Sequence, residues 1–389
     1  MVSRRNRRQQ LEKAGRAHGT GGIVTPVPSR RPRPRRSSLR LVVAGMVFTV
    51  LAQGGALVVA EELGAVEPAG GVTASASIAG AGHHHLSAPA EIQPDANAEP
   101  PPYFDPVAPK PLPGTVHNLD VTVEEKDMTV VPGVVQRVWT LNGSVPAPTI
   151  RVHVGDTMNV HFTNPASSSM SHSLDFHASE NALNDEMRTI PPGESIDQQW
   201  KANYAGVWMY HCVTSPPVWH VASGMYGMVI VEPKEGLPPV DKEWVVTQNE
   251  WYLGPQHEGI SLEKASASAP APDYMAFNGT PNQYIDHPFK MKAGERGRIF
   301  LLNAGPNLES SFHIVGMVFD TVIKEGVTLT PDNPGHYGSQ AVDLAPAQGA
   351  IVEFTAPEDG TYEFVTHTFN FHDRGAHGVI QVGDGQPKP

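Results

Sequence analysis

Cysteine is almost missing from this chain: Cys212 is the only one among 389 residues. An internal disulfide is therefore impossible, which excludes a disulfide-stapled scaffold. The haem-attachment string Cys-x-x-Cys-His is excluded on the same ground. Histidine pairs spaced His-x-His are missing outside the run His83-His84-His85. No helical period of apolar residues is sustained in the body of the chain, so a helical bundle is not expected.

Charge is present but unevenly placed. Residues 1–40 hold eleven Arg and one Lys against one Glu, about +11, whereas the whole chain is −12 and residues 41–389 therefore carry about −23. A basic tail precedes an acidic body. Residues 41–60 are apolar apart from Thr49, Gln53 and a few glycines, long enough to span a bilayer. Arg33, Arg35, Arg36 and Arg40 precede the run and Glu61 and Glu62 follow it, so the tail is expected in the cytoplasm and the body on the extracytoplasmic side of the membrane. The length favours a transmembrane anchor over a cleaved signal peptide. The basic tail has no interleaved aromatics and abuts the apolar run, which reads as a topology signal and not as a nucleic-acid site. Residues 61–115 are rich in Ala, Gly and Pro and read as a disordered linker.

From residue 116 short β-branched and aromatic runs alternate with Gly, Pro and Asn turns, for example Val121-Thr122-Val123. This texture predicts an all-β protein. It occurs twice, over 116–235 and 240–385. Asn142-Gly143 answers Asn278-Gly279, and Tyr204-Ala205-Gly206-Val207-Trp208 answers Glu358-Asp359-Gly360-Thr361-Tyr362. Two copies of one β-sandwich are expected, of which only the first has a cysteine.

Cys212 is followed by His220 and Met225, with His172 upstream. Thiolate, two imidazoles and a weak axial thioether are the ligand set of a blue copper site. His211 precedes Cys212 directly. On a strand, neighbouring side chains point to opposite faces, so the peptide between them would join two distinct sites.

Residues 116–385 resemble the copper nitrite reductases and related two-domain multicopper oxidases. The strings that carry the likeness are Leu141-Asn142-Gly143-Ser144-Val145-Pro146, His172-Ser173-Leu174-Asp175-Phe176-His177, Tyr210-His211-Cys212, Met225-Tyr226-Gly227, Phe312-His313-Ile314-Val315-Gly316 and Thr366-His367. The resemblance implies two cupredoxin-like Greek-key sandwiches and two coppers per chain. The type 1 copper would be held by His172, Cys212, His220 and Met225. The type 2 copper would be held by His177, His211 and His367, the last from the next subunit of a homotrimer. Asp175 and His313 would deliver protons to nitrite, and Val315 would shape the pocket. An external one-electron donor, a cupredoxin or a cytochrome, is implied as well. Departures from the family are the short stretch between Cys212 and His220 and the extra histidines His372 and His377.

Two other readings remain at this level. A laccase-like oxidase would need about eight histidines, mostly in His-x-His pairs, whereas Val213 follows Cys212 here. A membrane-tethered, non-catalytic cupredoxin would not need Asp175, His313 or the three-imidazole set.

Overall fold

Alternating burial shows how the first strand arises. In β1 (Val116–Val131), Val121 and Val123 are buried while Asp120 and Glu124 are exposed, the period of two that puts one face on a core. The computed structural model describes residues 86–329 and 338–386. The tail and the apolar run at 41–60 lie outside the described residues. Among those described, no helix is long and apolar enough to cross a membrane.

The first sandwich continues with β2 (Val134–Leu141), β3 (Ala147–His153), β4 (Thr157–Asn164), β5 (Asp175–Phe176), β6 (Glu194–Lys201), β7 (Gly206–His211), the short helix α1 (Pro217–Ala222) and β8 (Tyr226–Glu232). One sheet runs β2-β1-β4-β6 and the other β3-β8-β7-β5. The second sandwich holds β9 (Lys242–Trp251), α2 (Leu262–Ala265), β10 (Tyr274–Phe277), α3 (Gln283–Asp286), β11 (His287–Met291), β12 (Arg296–Gly305), β13 (Ser310–Ile314), β14 (Thr321–Lys324), β15 (Val327–Thr328), β16 (Ala341–Leu344), β17 (Gly349–Thr355), β18 (Gly360–Thr366), α4 (Phe369–His372) and β19 (His377–Val382). Its sheets run β10-β9-β12-β17-β14-β15 and β11-β19-β18-β13-β16.

The pairings repeat. β1 lies parallel to β4 as β9 does to β12, and β3 lies parallel to β8 as β11 does to β19. The two Asn-Gly pairs are the same turn. Asn142 and Asn278 both have φ of 57°, and Gly143 and Gly279 follow at 81° and 86°. Positive φ at both central residues is the hairpin turn Asn-Gly prefers.

Each sandwich has its own apolar core, one including Phe162, Phe176, Tyr210 and Met225, the other Phe277, Phe312, Phe354 and Phe364. A third cluster joins the sandwiches, with Met209, Met228 and Val221 from the first against Trp251, Phe300 and Ile351 from the second. Contact there is close: a Cβ on Gly279 would lie 2.2 Å from the Val145 carbonyl oxygen.

Residues 86–115, expected to be disordered, are packed against both sandwiches, and this expectation is corrected. Ile92 and Ala108 are buried in the joining cluster. Thr280 Oγ1 donates to the Pro102 carbonyl at 2.7 Å, and the Phe104 amide donates to Gln283 Oε1 at 2.9 Å. The Ala108 and Leu112 amides donate to the Glu243 and Arg151 carbonyls. A Pro-rich strap needs no period of its own. It loses little backbone entropy on ordering, because its φ values are already restricted, and isolated apolar residues anchor it.

His257 pins the strap electrostatically. Its Nε2 lies 3.0 Å from Asp95 and its Nδ1 3.3 Å from Asp127. Hydrogen bonds that its ring donates to Asp127 and Asp95 raise its pKa above the ordinary value. A raised histidine pKa contributes while the ring is charged, fully below pH 6.5, and the contribution is lost as pH rises through the folded value. Limited proteolysis around Asp95 is expected to quicken as pH rises above that value and to do so less in His257→Gln. Identical pH profiles for the two proteins would remove this role.

Candidate functional site

β7 ends at His211, and its side chains alternate. Val207 and Met209 enter the cluster between the sandwiches, whereas Tyr210 and Cys212 enter the core of the first. By the same period His211 turns away from Cys212.

On the inner side three ligand atoms converge. Cys212 Sγ lies 3.3 Å from His220 Nδ1 and 3.8 Å from His172 Nδ1, and the two Nδ1 atoms are 3.1 Å apart. All three residues are completely buried, as is Met225. His172 is brought in from the segment before β5, where its amide and carbonyl pair with Ile190. His220 rides on α1, which begins with Pro217 at a position that needs no amide donor. The stretch between Cys212 and His220 is thus partly helical and not simply a loop. The Cys212 amide donates to the Met225 carbonyl and the Met225 amide to the His220 carbonyl, fastening the segment.

Burial lowers the pKa of both imidazoles to about 4, with repulsion from His172 adding to the effect at His220. Both rings are therefore neutral near pH 7, with lone pairs available. Burial pushes the Cys212 thiol up, against hydrogen bonds from Ser173 and Thr214 that favour the thiolate. Two Nδ1 atoms and a sulfur converging within 3.1–3.8 Å present their lone pairs to one point, an arrangement that suits a soft cation.

Several contributors had no role assigned from the sequence. The Ser173 amide approaches Cys212 Sγ at 3.4 Å, and Thr214 Oγ1 donates to Ser173 Oγ at 3.0 Å. Trp139 packs against both rings, with centroid separations of 5.4 Å to His172 and 4.9 Å to His220. Adjacency to His172 could have pointed to Ser173; nothing local points to Trp139.

On the other side of the same peptide lies a second group. His177 Nε2 and His211 Nε2 are 3.0 Å apart, and Asp175 Oδ2 is 3.8 Å from each. Register explains the placement: Asp175 faces His211 across the β5–β7 pair. His211 Nδ1 lies 2.8 Å from the Cys212 carbonyl oxygen, and donation to it leaves Nε2 with a lone pair. Burial lowers the His177 pKa, as does His211; Asp175 opposes them.

His367 and His313 are brought together elsewhere, at the ends of β18 and β13 in the second sandwich. Their ring centroids are 5.1 Å apart. His367 is exposed, and its amide donates to the Ser311 carbonyl at 2.7 Å. His313 Nδ1 bonds to the Gln340 carbonyl, and the neighbouring Val315 is 49% exposed. The convergent group of Asp175, His177 and His211 does not include His367.

Residues 122–236 match one multicopper oxidase family model and residues 242–383 match a second. A copper-containing nitrite reductase of Neisseria meningitidis serogroup B is 40% identical over 272 residues, 68% of this chain and 68% of the relative. The chain belongs to the copper-containing nitrite reductase family. The solved copper nitrite reductase of Nitrosomonas europaea is 32% identical, with a TM-score of 0.63, over 70% of this chain and 96% of that one. A solved multicopper oxidase is 31% identical, with a TM-score of 0.61, over 72% of this chain and 94% of that one. The sandwiches are thus cupredoxin-like, and copper is the cation that the thiolate, imidazole and thioether groups suit.

Proposed function

We propose that this protein reduces nitrite to nitric oxide, passing one electron from a type 1 copper at His172, Cys212, His220 and Met225 to a type 2 copper at His177 and His211. The observation that carries this reading is that adjacent residues, His211 and Cys212, belong to two different convergent ligand groups. One peptide bond is then the covalent path between them.

The overall step is NO2⁻ + e⁻ + 2H⁺ → NO + H2O. Copper held by His177 and His211 would supply the electron and a Lewis acid for nitrite. The chain's residues do the rest. Asp175, on the rim of the His177–His211 pair, is placed to hold a proton on the departing oxygen. His313 suits the second proton delivery, since imidazole exchanges protons near neutral pH.

His367 lies on the exposed end of the second sandwich, and in this reading it completes the type 2 site of a neighbouring copy. Ring closure by three copies meets that need without leaving an open interface. The apolar run at 41–60 anchors the protein in the membrane, with the sandwiches on the extracytoplasmic side, and the electron comes from a separate cupredoxin or cytochrome.

The test uses copper-loaded protein, nitrite and a reduced dye. Nitric oxide should form, and His211→Ala should remove it while the blue absorbance persists. Nitrite-independent oxygen uptake with phenols, and no nitric oxide above the His211→Ala background, would transfer the protein to oxidase chemistry.

A further inference from the structure

A third group of metal-type ligands lies in the second sandwich, outside both copper sites. Glu363 on β18, His372 on α4 and His377 on β19 present ligand atoms to one another. His372 Nε2 is 3.0 Å from Glu363 Oε1 and 2.9 Å from His377 Nδ1, and His377 Nδ1 is 3.3 Å from Glu363 Oε1. We propose that these three residues form a third metal site, for a divalent cation of the zinc type.

The geometry is that of three ligands on one face of a cation. Corners about 3 Å apart are capped by an ion at roughly 2.0–2.2 Å from each, the distances of zinc to imidazole nitrogen and carboxylate oxygen. The fourth tetrahedral position faces outward, since Glu363 is 39% exposed while His372 and His377 are 23% and 17%. Two imidazoles and a carboxylate, without thiolate, favour Zn²⁺ or Cu²⁺ over Cu⁺.

An outer partner is present as well. Asp373 Oδ1 lies 2.9 Å from His372 Nδ1. Donation to that carboxylate fixes the tautomer with its lone pair on Nε2, which faces the other two ligands. Charge also balances, since Glu363 and Asp373 together offset a divalent ion. The scaffold is rigid: β18 and β19 pair with Val365 opposite His377, which puts Glu363 on the diagonal of the same face.

The site would act on the segment that follows His367. Four residues separate His367 from His372, and Phe369 among them packs on the His367 ring with centroids 4.9 Å apart. A cation joining α4 to the β18–β19 hairpin would restrain this stretch.

The proposal stands apart from nitrite chemistry and is tested by binding. Full-length copper-loaded protein is stripped of loosely held metal and titrated with Zn²⁺ by calorimetry, with metal content measured after gel filtration. The wild type should take up one more zinc than His372→Ala. Glu363→Gln should weaken that zinc by more than the roughly 10–100-fold typical of losing an outer partner. The His83-His84-His85 run is common to all three proteins and cancels in the comparison. If His372→Ala fails to retain its blue absorbance, Glu363→Gln decides. Equal zinc uptake and affinity in wild type and Glu363→Gln would overturn the site.

Discussion

Cys212→Ala will lose the blue absorbance and about half of the bound copper, and dye-driven nitric oxide formation will fall by more than about 100-fold. Outer partners of a metal already cost roughly 10–100-fold when removed, and Cys212 is a direct ligand. The thiolate is the only anionic ligand among His172, Cys212, His220 and Met225. Without it the remaining donors are neutral, and their pocket is buried. A cation there would be desolvated with no compensating charge. The His177–His211 pair does not depend on the sulfur, so copper on that side should persist and show its own paramagnetic signal. The fold should persist too, because the change removes one buried atom, about 1 kcal/mol. Copper content and visible spectra of Cys212→Ala beside His211→Ala check this. Full blue absorbance in Cys212→Ala, or an unchanged rate, would break the assignment.

Glu243→Gln is expected to be among the most destabilising single changes in the chain, although it touches neither copper site. Its carboxylate lies where the two sandwiches meet. Oε1 accepts from Arg151 Nη2 at 2.9 Å and from Arg298 Nη1 at 2.7 Å, and Oε2 accepts from Arg151 Nη1 at 3.0 Å. The two arginine side chains are 4% and 2% exposed. Glu232 and Glu353 hold their other ends. Burial alone would raise the Glu243 carboxyl; donation from Arg151 and Arg298 outweighs it and holds the carboxyl low. Removing one charge leaves two buried guanidiniums under-compensated, which typically costs about 3–5 kcal/mol. Because Glu232 and Glu353 remain, the lower end is expected. That corresponds to a fall in Tm of roughly 6–12 °C. Calorimetry on the copper-loaded variant checks it, with the exposed Glu358→Gln as a control. A shift as small as the control's would show that the network adds nothing to the joint.

Much of the fold was legible because the signals that make it are local. Asn142-Gly143 and Asn278-Gly279 announce matching turns, and the alternation in β1 announces a strand with one buried face. The strap at 86–115 was not legible. Its anchors, Ile92 and Ala108, are isolated apolar residues without a period, and its hydrogen bonds to Thr280, Gln283 and Glu243 reach more than a hundred positions along the chain. The Arg151–Glu243–Arg298 joint was invisible for the same reason, since each member alone reads as an ordinary surface charge. Glu363 also escaped notice. A glutamate in the middle of a strand gains meaning only when His372 and His377 are seen beside it.

The sequence by itself determined which chemistry is possible. It supplies one thiolate, places His211 covalently beside it, and sets His220 and Met225 just downstream. These relations hold in any fold, because they are bonds and short spacings. The two-residue period of a strand then sends neighbouring side chains to opposite faces. Only the tertiary structure decided which atoms meet. It carries His172 across 40 positions to Cys212 and sets Asp175 opposite His211 by strand register. It also places His367 beside His313, on the second sandwich, and not in the His177–His211 group. Such meetings depend on packing between distant segments, which no short window of sequence encodes.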